Sequence, residues 1–178
     1  MEQALAAPAT EIPDALDAAF ERLYRDSRDD LFAYASGLLR NRAAAEDVTA
    51  QAFERAWRRR RTFNPKRGTR RAWLFGIARN AALDELRRRR RRGELGDEPA
   101  DPDAVEPADA AETAMRRAAL REAMRTLSAR ERELVALKFF AGLDNPEIAV
   151  VVGVSESNAG TRIHRVIEKL RRACDEAE

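Results

Sequence analysis

The chain has 178 residues, which is enough for one medium-sized domain or two small ones. Hydrophobic residues make up 44% of it and aromatic residues 6%, so each small domain would bury only a modest core. The single cysteine, Cys174, excludes an internal disulfide and a multi-cysteine metal site. No apolar run reaches membrane-spanning length and residues 1–10 lack a secretion signal, so we expect a cytoplasmic protein with no membrane insertion.

The charges of the sequence lie in two blocks, although the net charge is only +2. Residues 53–92 hold sixteen Lys and Arg against three acidic residues, a local excess of +13. Residues 93–112 hold eight acidic residues and no basic one. A basic block of that size is typical of a surface that binds a polyanion such as nucleic acid.

Helical spacing of apolar residues runs through most of the chain, and strand signals are nearly absent. Residues 1–12 predict a disordered N-terminus. Helices are expected in the first domain at 14–25, 28–41, 43–61 and 70–92. The acidic segment 93–112 also holds three prolines, which predicts a flexible linker. The sequence therefore predicts an all-α protein with two small helical domains, residues 13–92 and 113–178, joined by that linker.

The second domain has the pattern of a helix-turn-helix. Ser128 opens a helix with the spacing of a capping box, and that helix ends near Gly142. Asn145 then caps a short helix at 145–152, with Pro146 at its first position. A plain helical hairpin is the alternative for this region.

Gly153 supplies a turn before the final helix, which Ser155 caps and which runs to about Cys174. The second helix of such a motif presents its N-terminal face to the major groove of DNA. His164 is expected at the groove edge or elsewhere on the surface. The face holds residue types that suit bases and phosphates, namely Ser155, Ser157, Asn158, Thr161, Arg162 and Arg165.

Basic and aromatic residues alternate in the first domain, which suits a duplex being opened, because basic groups neutralise phosphates and aromatic faces stack on unpaired bases. Trp73 has core spacing with Ile77, so core packing is favoured over base stacking there. For Phe63, at a loop edge, exposure and base contact stay equally open. Arg87–Arg92 could complement the dipole of a helix end, but six consecutive arginines favour nucleic-acid contact.

Several stretches, in order around one linker, resemble the sigma-70 family. The resemblance is to its extracytoplasmic-function (ECF) group, which has only regions 2 and 4, and it covers about residues 14–92 and 113–174. The stretch similar to region 2.2 is Ala45–Trp57, the one similar to regions 2.3 and 2.4 is Arg71–Asn80, and those similar to region 4 are Leu127–Glu133, Glu147–Ala149 and Gly153–Ser155.

The resemblance implies a role for three groups of residues. The helix similar to region 2.2 would dock on core RNA polymerase through Asp47, Gln51, Phe53 and Trp57. A base flipped from the −10 element would be held near Phe63, Asn80 and Asp84. The full set of expected −10 contacts is Phe63, Arg70, Arg71, Trp73, Arg79, Asn80, Asp84, Arg87 and Arg88. The final helix would read the −35 element through the residues named above.

The resemblance further implies no cofactor, an inhibitory anti-sigma factor as a partner, and an acidic linker that threads into polymerase channels. Three positions depart from the family pattern. Ala50-Gln51 stand where Gln-Glu is frequent, Gly160 where a basic residue is common, and Ser157-Asn158-Ala159 where Gly-Thr-Val is usual.

A non-enzymatic sigma factor that directs RNA polymerase to promoters and melts the −10 element is therefore the leading hypothesis. The alternative is a free-standing helix-turn-helix repressor or activator, which would need a dimer face or an effector pocket. A nucleic-acid enzyme is disfavoured because the chain has no phosphate-cradling Gly loop, one histidine, and no acids at metal-ligand spacing.

Overall fold

A computed structural model describes residues 15–93 and 111–175, although not the side chains of 111–114. The N-terminus predicted to be disordered and almost all of the predicted linker lie outside these residues. The predicted all-α class is confirmed, since the described residues contain helices and no strand. The helices are α1 (Ala15–Leu39), α2 (Arg42–Arg58), α3 (Arg70–Arg92), α4 (Ala111–Arg125), α5 (Ala129–Val135), α6 (Asn145–Val152) and α7 (Glu156–Asp175).

Helix α1 is one continuous helix, so the prediction of two helices at 14–25 and 28–41 is wrong. No glycine or proline interrupts the chain around Asp26 and Ser27, and nothing there stops helix propagation. Ser27 is buried on the same helix as Leu23 and Leu31, so it continues the packed face. The unbroken α1 gives α2 and α3 one long surface to pack against.

Helix α2 is shorter than the predicted 43–61, because Arg59 leaves helical geometry and two short 3-10 turns follow, at Arg60–Thr62 and Pro65–Arg67. Helix α3 matches its predicted range. It begins after Thr69, whose hydroxyl accepts a hydrogen bond from the Ala72 amide at 3.0 Å. The loop between α2 and α3 is therefore held close to both helices.

The second half of the chain follows its predicted pattern with one correction. Ser128 and Glu131 form the predicted capping box, and α5 continues as a π-helical turn, Ala136–Phe140, before Gly142. The predicted cap of α6 at Asn145 is wrong. Asp144 is the cap, because its carboxylate accepts from the Glu147 amide at 2.8 Å and Glu147 reaches back to its amide.

The two halves share one hydrophobic core, in which Leu74 and Phe75 of α3 belong to the same cluster as Leu137, Leu143 and Ile148 of the second half. Helix α3 packs against α6, and α1 packs against the π-helical turn. Among the helices that the structure describes, none combines the length and apolar character of a membrane span. Because α3 packs against α1, α2 and α6, and α7 packs against α4, α5 and α6, only the remaining sides of these two helices are open to solvent.

Candidate nucleic-acid interface

Helix α2 carries the residues predicted to contact polymerase, and three of the four reach the surface. Asp47 is exposed, Gln51 is half-buried and the Trp57 side chain is 38% exposed. Phe53, in contrast, is only 6% exposed and meets the ring of Tyr24 edge-on at 4.7 Å. Phe53 therefore supports this surface from below.

An apolar groove beside Trp57 enlarges the α2 surface and was missed in the sequence. Phe20 and Tyr24 of α1 line it, and Asp17 and Glu21 give it an acidic side. The rings of Phe20 and Trp57 lie 5.0 Å apart, and Tyr24 is 42% exposed. The available signal was the i, i+4 spacing of two aromatic residues on a helix, which places them on one face.

The predicted −10 residues of the α2–α3 loop form a small stack of aromatic and basic groups. The rings of Phe63 and Trp73 lie 5.8 Å apart in an edge-to-face arrangement, and the Arg70 guanidinium lies 4.5 Å from the centre of the Phe63 ring. All three residues are half-buried. Trp73 packs against the core, as its spacing predicted.

Two predicted −10 residues, Arg71 and Arg79, are engaged by other parts of the protein. Arg71 forms an ion pair with Asp30 at 2.7 Å and also donates to the Ala141 carbonyl. Arg79 donates to both carboxylate oxygens of Glu133, at 2.7 and 3.2 Å. Both arginines thus lie in the contact between the two halves of the chain.

The C-terminal part of α3 is exposed at Asn80, Asp84, Arg87 and Arg88. Arg87 pairs with Asp84 at 3.1 Å, and Arg88 pairs with the buried Glu85. Arg88 and the predicted polymerase residue Asp47 line the same groove.

The predicted nucleic-acid role of the whole arginine tract needs a correction at Arg89. This side chain is 6% exposed and donates to the Leu39 carbonyl at 3.0 Å. Arg89 therefore holds the end of α3 against the end of α1, and it is not available for a nucleic acid in this arrangement.

Helix α7 presents the predicted −35 residues on an open face. Ser155 accepts from the Asn158 amide at 3.3 Å, and Thr161 donates to the Ser157 carbonyl at 2.9 Å. A Cβ atom at Gly160 would lie 3.4 Å from the side-chain nitrogen of Asn145, so the glycine lies against α6. The exposed residues of this face are Ser155, Ser157, Asn158, Thr161, Arg162, His164 and Arg165.

A cavity of about 460 Å³ lies where α3, α5 and α7 meet. Its wall includes four arginines, namely Arg79, Arg130, Arg162 and Arg165, together with two glutamates. Nearby, burial raises the pKa of Tyr34 above its ordinary value, and the charge of Glu133 adds to the shift. The cavity therefore brings together predicted −10 and predicted −35 residues.

No metal site accompanies these surfaces in the described residues, where no group of three or more His, Cys, Asp or Glu could hold an ion. The chemistry that the surfaces offer is stacking, hydrogen bonding and charge. These are the interactions by which proteins bind DNA.

Comparison with known proteins identifies the family. The Sigma-70 region 2 model matches residues 23–92, and the Sigma-70 region 4 model matches residues 117–170. ECF RNA polymerase sigma factor SigL of Mycobacterium tuberculosis is 32% identical over 91% of this chain and 93% of its own length. BldN of Streptomyces coelicolor, also an ECF RNA polymerase sigma factor, is 36% identical over 86% of this chain and 60% of its own length.

Two solved structures resemble the whole arrangement. CnrH, in complex with the cytosolic domain of CnrY, matches with a TM-score of 0.65 and 25% identity over 90% of each chain. The sigma factor RpoE of Bartonella quintana, in complex with the anti-sigma factor NepR, shares the fold with a TM-score of 0.69 and 23% identity, over 88% of this chain and 97% of that one. The family matches in both halves show that the chain belongs to the sigma-70 family of RNA polymerase sigma factors, in its extracytoplasmic-function group.

Proposed function

We propose that this chain directs RNA polymerase to specific promoters by reading −35 DNA with α7 and by holding melted −10 DNA on α3 and the loop before it. The observation that carries the proposal is the presence of two faces of complementary chemistry in one chain. One is an open polar helix face, and the other is a stack of aromatic and basic groups.

The α7 face suits the major groove of duplex DNA. Its amide and guanidinium groups, on Asn158, Arg162 and Arg165, are exposed near the N-terminal end of the helix, where a helix-turn-helix protein meets base edges. Gly160 is half-buried against α6, so this position faces the protein rather than the open face that would meet base edges.

The Phe63–Trp73–Arg70 stack suits unpaired bases. Removing a base from a duplex costs a few kcal/mol, which a protein offsets by stacking and by hydrogen bonds to the flipped base. Asn80 and Asp84 are exposed further along α3 and could hydrogen-bond to such a base. The −10 element would therefore be held single-stranded along α3.

The surface of α2 is proposed as the docking site for core polymerase. It offers Asp47, Gln51 and Trp57, and the aromatic groove formed with Phe20 and Tyr24 extends it. Exposed aromatic residues are enriched at protein interfaces, where they provide most of the binding energy.

Three further proposals concern the partner, the location and the mode of action of the chain. RpoE is bound to an anti-sigma factor, and we infer an inhibitory partner of the same class for this chain. The chain would work in the cytoplasm, where RNA polymerase acts on DNA. It would act by binding, without catalysing a reaction of its own.

Transcription in vitro tests the proposal. The purified chain is mixed with core RNA polymerase and genomic fragments, and transcript starts are mapped. We expect new starts that share two upstream elements and that disappear when the chain is omitted. Tight duplex binding by the chain alone, with no initiation from any template, would instead identify a free-standing repressor or activator.

A further inference from the structure

Glu133 is a buried acidic residue in the second half of the chain, and it contacts a basic residue of the first half. It lies on α5, its side chain is 7% exposed, and both of its oxygens accept hydrogen bonds from Arg79 of α3. The other buried acid among the described residues, Glu85, pairs with Arg88 and Arg92 of its own helix. Glu133 therefore links the two halves, which Glu85 does not.

A carboxylate that accepts two parallel hydrogen bonds from a guanidinium imitates a phosphate, because arginine binds both anions through the same fork of N–H groups. Arg79 is one of the arginines expected to meet −10 DNA. We propose that Glu133 is an internal substitute for a DNA phosphate, which holds Arg79 in the free chain and must be displaced before Arg79 can bind DNA. This inference rests on the proposed function.

Three neighbouring contacts would break in the same movement. Arg71 donates to the Ala141 carbonyl, and Thr69 donates to Glu147 at 2.7 Å. The ring of Phe140 lies so close to α1 that a Cβ atom at Gly37 would come within 2.6 Å of it. The second half of the chain thus contacts both the start of α3 and the Arg79 side chain.

The charges around Glu133 favour its exchange for a stronger anion. Arg130, Arg162 and Arg165 line the same cavity, and Glu131 already pairs with Lys169 at 3.1 Å. Glu133 is thus the carboxylate that faces Arg79 in a largely cationic cavity. A polyanion such as DNA gains more from such surroundings than a single carboxylate does, because it releases its own counterions.

The test measures binding of the isolated full chain to a short, fluorescein-labelled single-stranded DNA of mixed sequence. Glu133→Gln keeps the size of the side chain and removes its charge. In the closed form of the chain, Glu133 holds Arg79. If most of the free chain is in this form, opening it tightens the apparent affinity for DNA, and we expect roughly a tenfold gain. Glu122→Gln is the matched control, because it removes one charge from an exposed pair on α4.

A double-mutant cycle isolates the contact. The gain from Glu133→Gln should vanish when Arg79→Ala is also present, because Arg79 is then unable to meet a phosphate. Equal affinities of the wild type and Glu133→Gln, or an equal gain in the Glu122→Gln control, would overturn the inference.

A second variant keeps the test independent of Glu133. Gly37→Ala should displace the Phe140 ring and move the two halves apart. The distance between spin labels at Cys174 and at a cysteine introduced by Ala43→Cys should then increase. An unchanged distance would count against the closed form. Transcription with core polymerase reports on the proposed function separately. A wild-type chain that initiates normally while Glu133→Gln leaves DNA affinity unchanged sinks this inference alone.

Discussion

The proposed DNA faces on α3 and α7 use the same basic residue type but differ in what those residues contact. On α3, Arg71 pairs with Asp30 and Arg79 pairs with Glu133. On α7, Arg162 and Arg165 are exposed, and neither has an ion pair or a hydrogen-bond partner in the described part of the chain. The proposed −35 face is open to solvent at these arginines, whereas part of the proposed −10 face is occupied by the protein itself.

The difference follows from what lies beneath each face. Helix α3 is in the centre of the molecule, with α1, α2 and α6 all packed on it, so the polar groups on its packed sides must find partners inside the protein. Helix α7 lies at the edge and leaves one side to solvent. A central helix gains stability from its partners, and an edge helix keeps its side chains free for a ligand.

The largest expected effect comes from removing the support under the α3 face. Phe75 is fully buried and meets the ring of Tyr34 edge-on at 5.8 Å. Phe75→Ala should lower the free energy of unfolding by about 3–5 kcal/mol, because it removes apolar contacts and leaves a cavity. Urea unfolding measures the loss. Phe139→Ala, at a ring that is 58% exposed, is the control and should change little.

The next effect tests the open face. Arg162→Ala should weaken binding of the reconstituted holoenzyme to −35 DNA by about 1–3 kcal/mol if the side chain meets a base, and should relax the sequence preference at one position. Competition between promoter variants measures both. Arg172→Ala, at an exposed arginine in the last turn of the same helix, is the control. Equal losses in the two variants would mean that α7 contributes only general charge.

Local features of the sequence were sufficient to predict most helices. The range of α3, the capping box at Ser128 and the glycine turn at Gly153 are set by residues within a few positions of each other, and the structure confirms them. The predicted break in α1 was wrong because no glycine or proline stops the helix there, and the predicted cap at Asn145 was wrong because Asp144 forms a capping box with Glu147.

Contacts between distant residues were beyond such reasoning. The pairing of Arg79 with Glu133 joins positions 54 apart in sequence, and that of Arg89 with Leu39 joins positions 50 apart. From the sequence alone, Arg79 and Arg162 were both expected to be cations available to DNA. The roles assigned to individual −10, −35 and polymerase residues stay predictions, because a surface that fits a partner does not show that it binds one.

A smaller effect is expected at the start of α5, the helix that carries Glu133. Ser128→Ala should lower the free energy of unfolding by about 1 kcal/mol, since the Glu131 amide loses its acceptor at 3.3 Å. Ser36→Ala is the contrast, because its buried hydroxyl has no hydrogen-bond partner in the described structure. That change should leave stability equal or slightly higher, and thermal unfolding of both variants distinguishes the two cases.

The smallest effect concerns the charge of Glu131. The hydrogen bond from the Ser128 backbone amide lowers the pKa of this carboxyl below its ordinary value, and the Ser128 hydroxyl and Lys169 add to the shift, while partial burial opposes it. A lowered pKa in the folded state adds stability above the unfolded pKa of about 4.3, and that stability is lost as the pH falls through the folded pKa. The stability difference between the wild type and Glu131→Gln should therefore be largest near neutral pH and shrink in acid. A difference that stays constant with pH would show that this cap acts through hydrogen bonds alone and that the charge of Glu131 does not contribute.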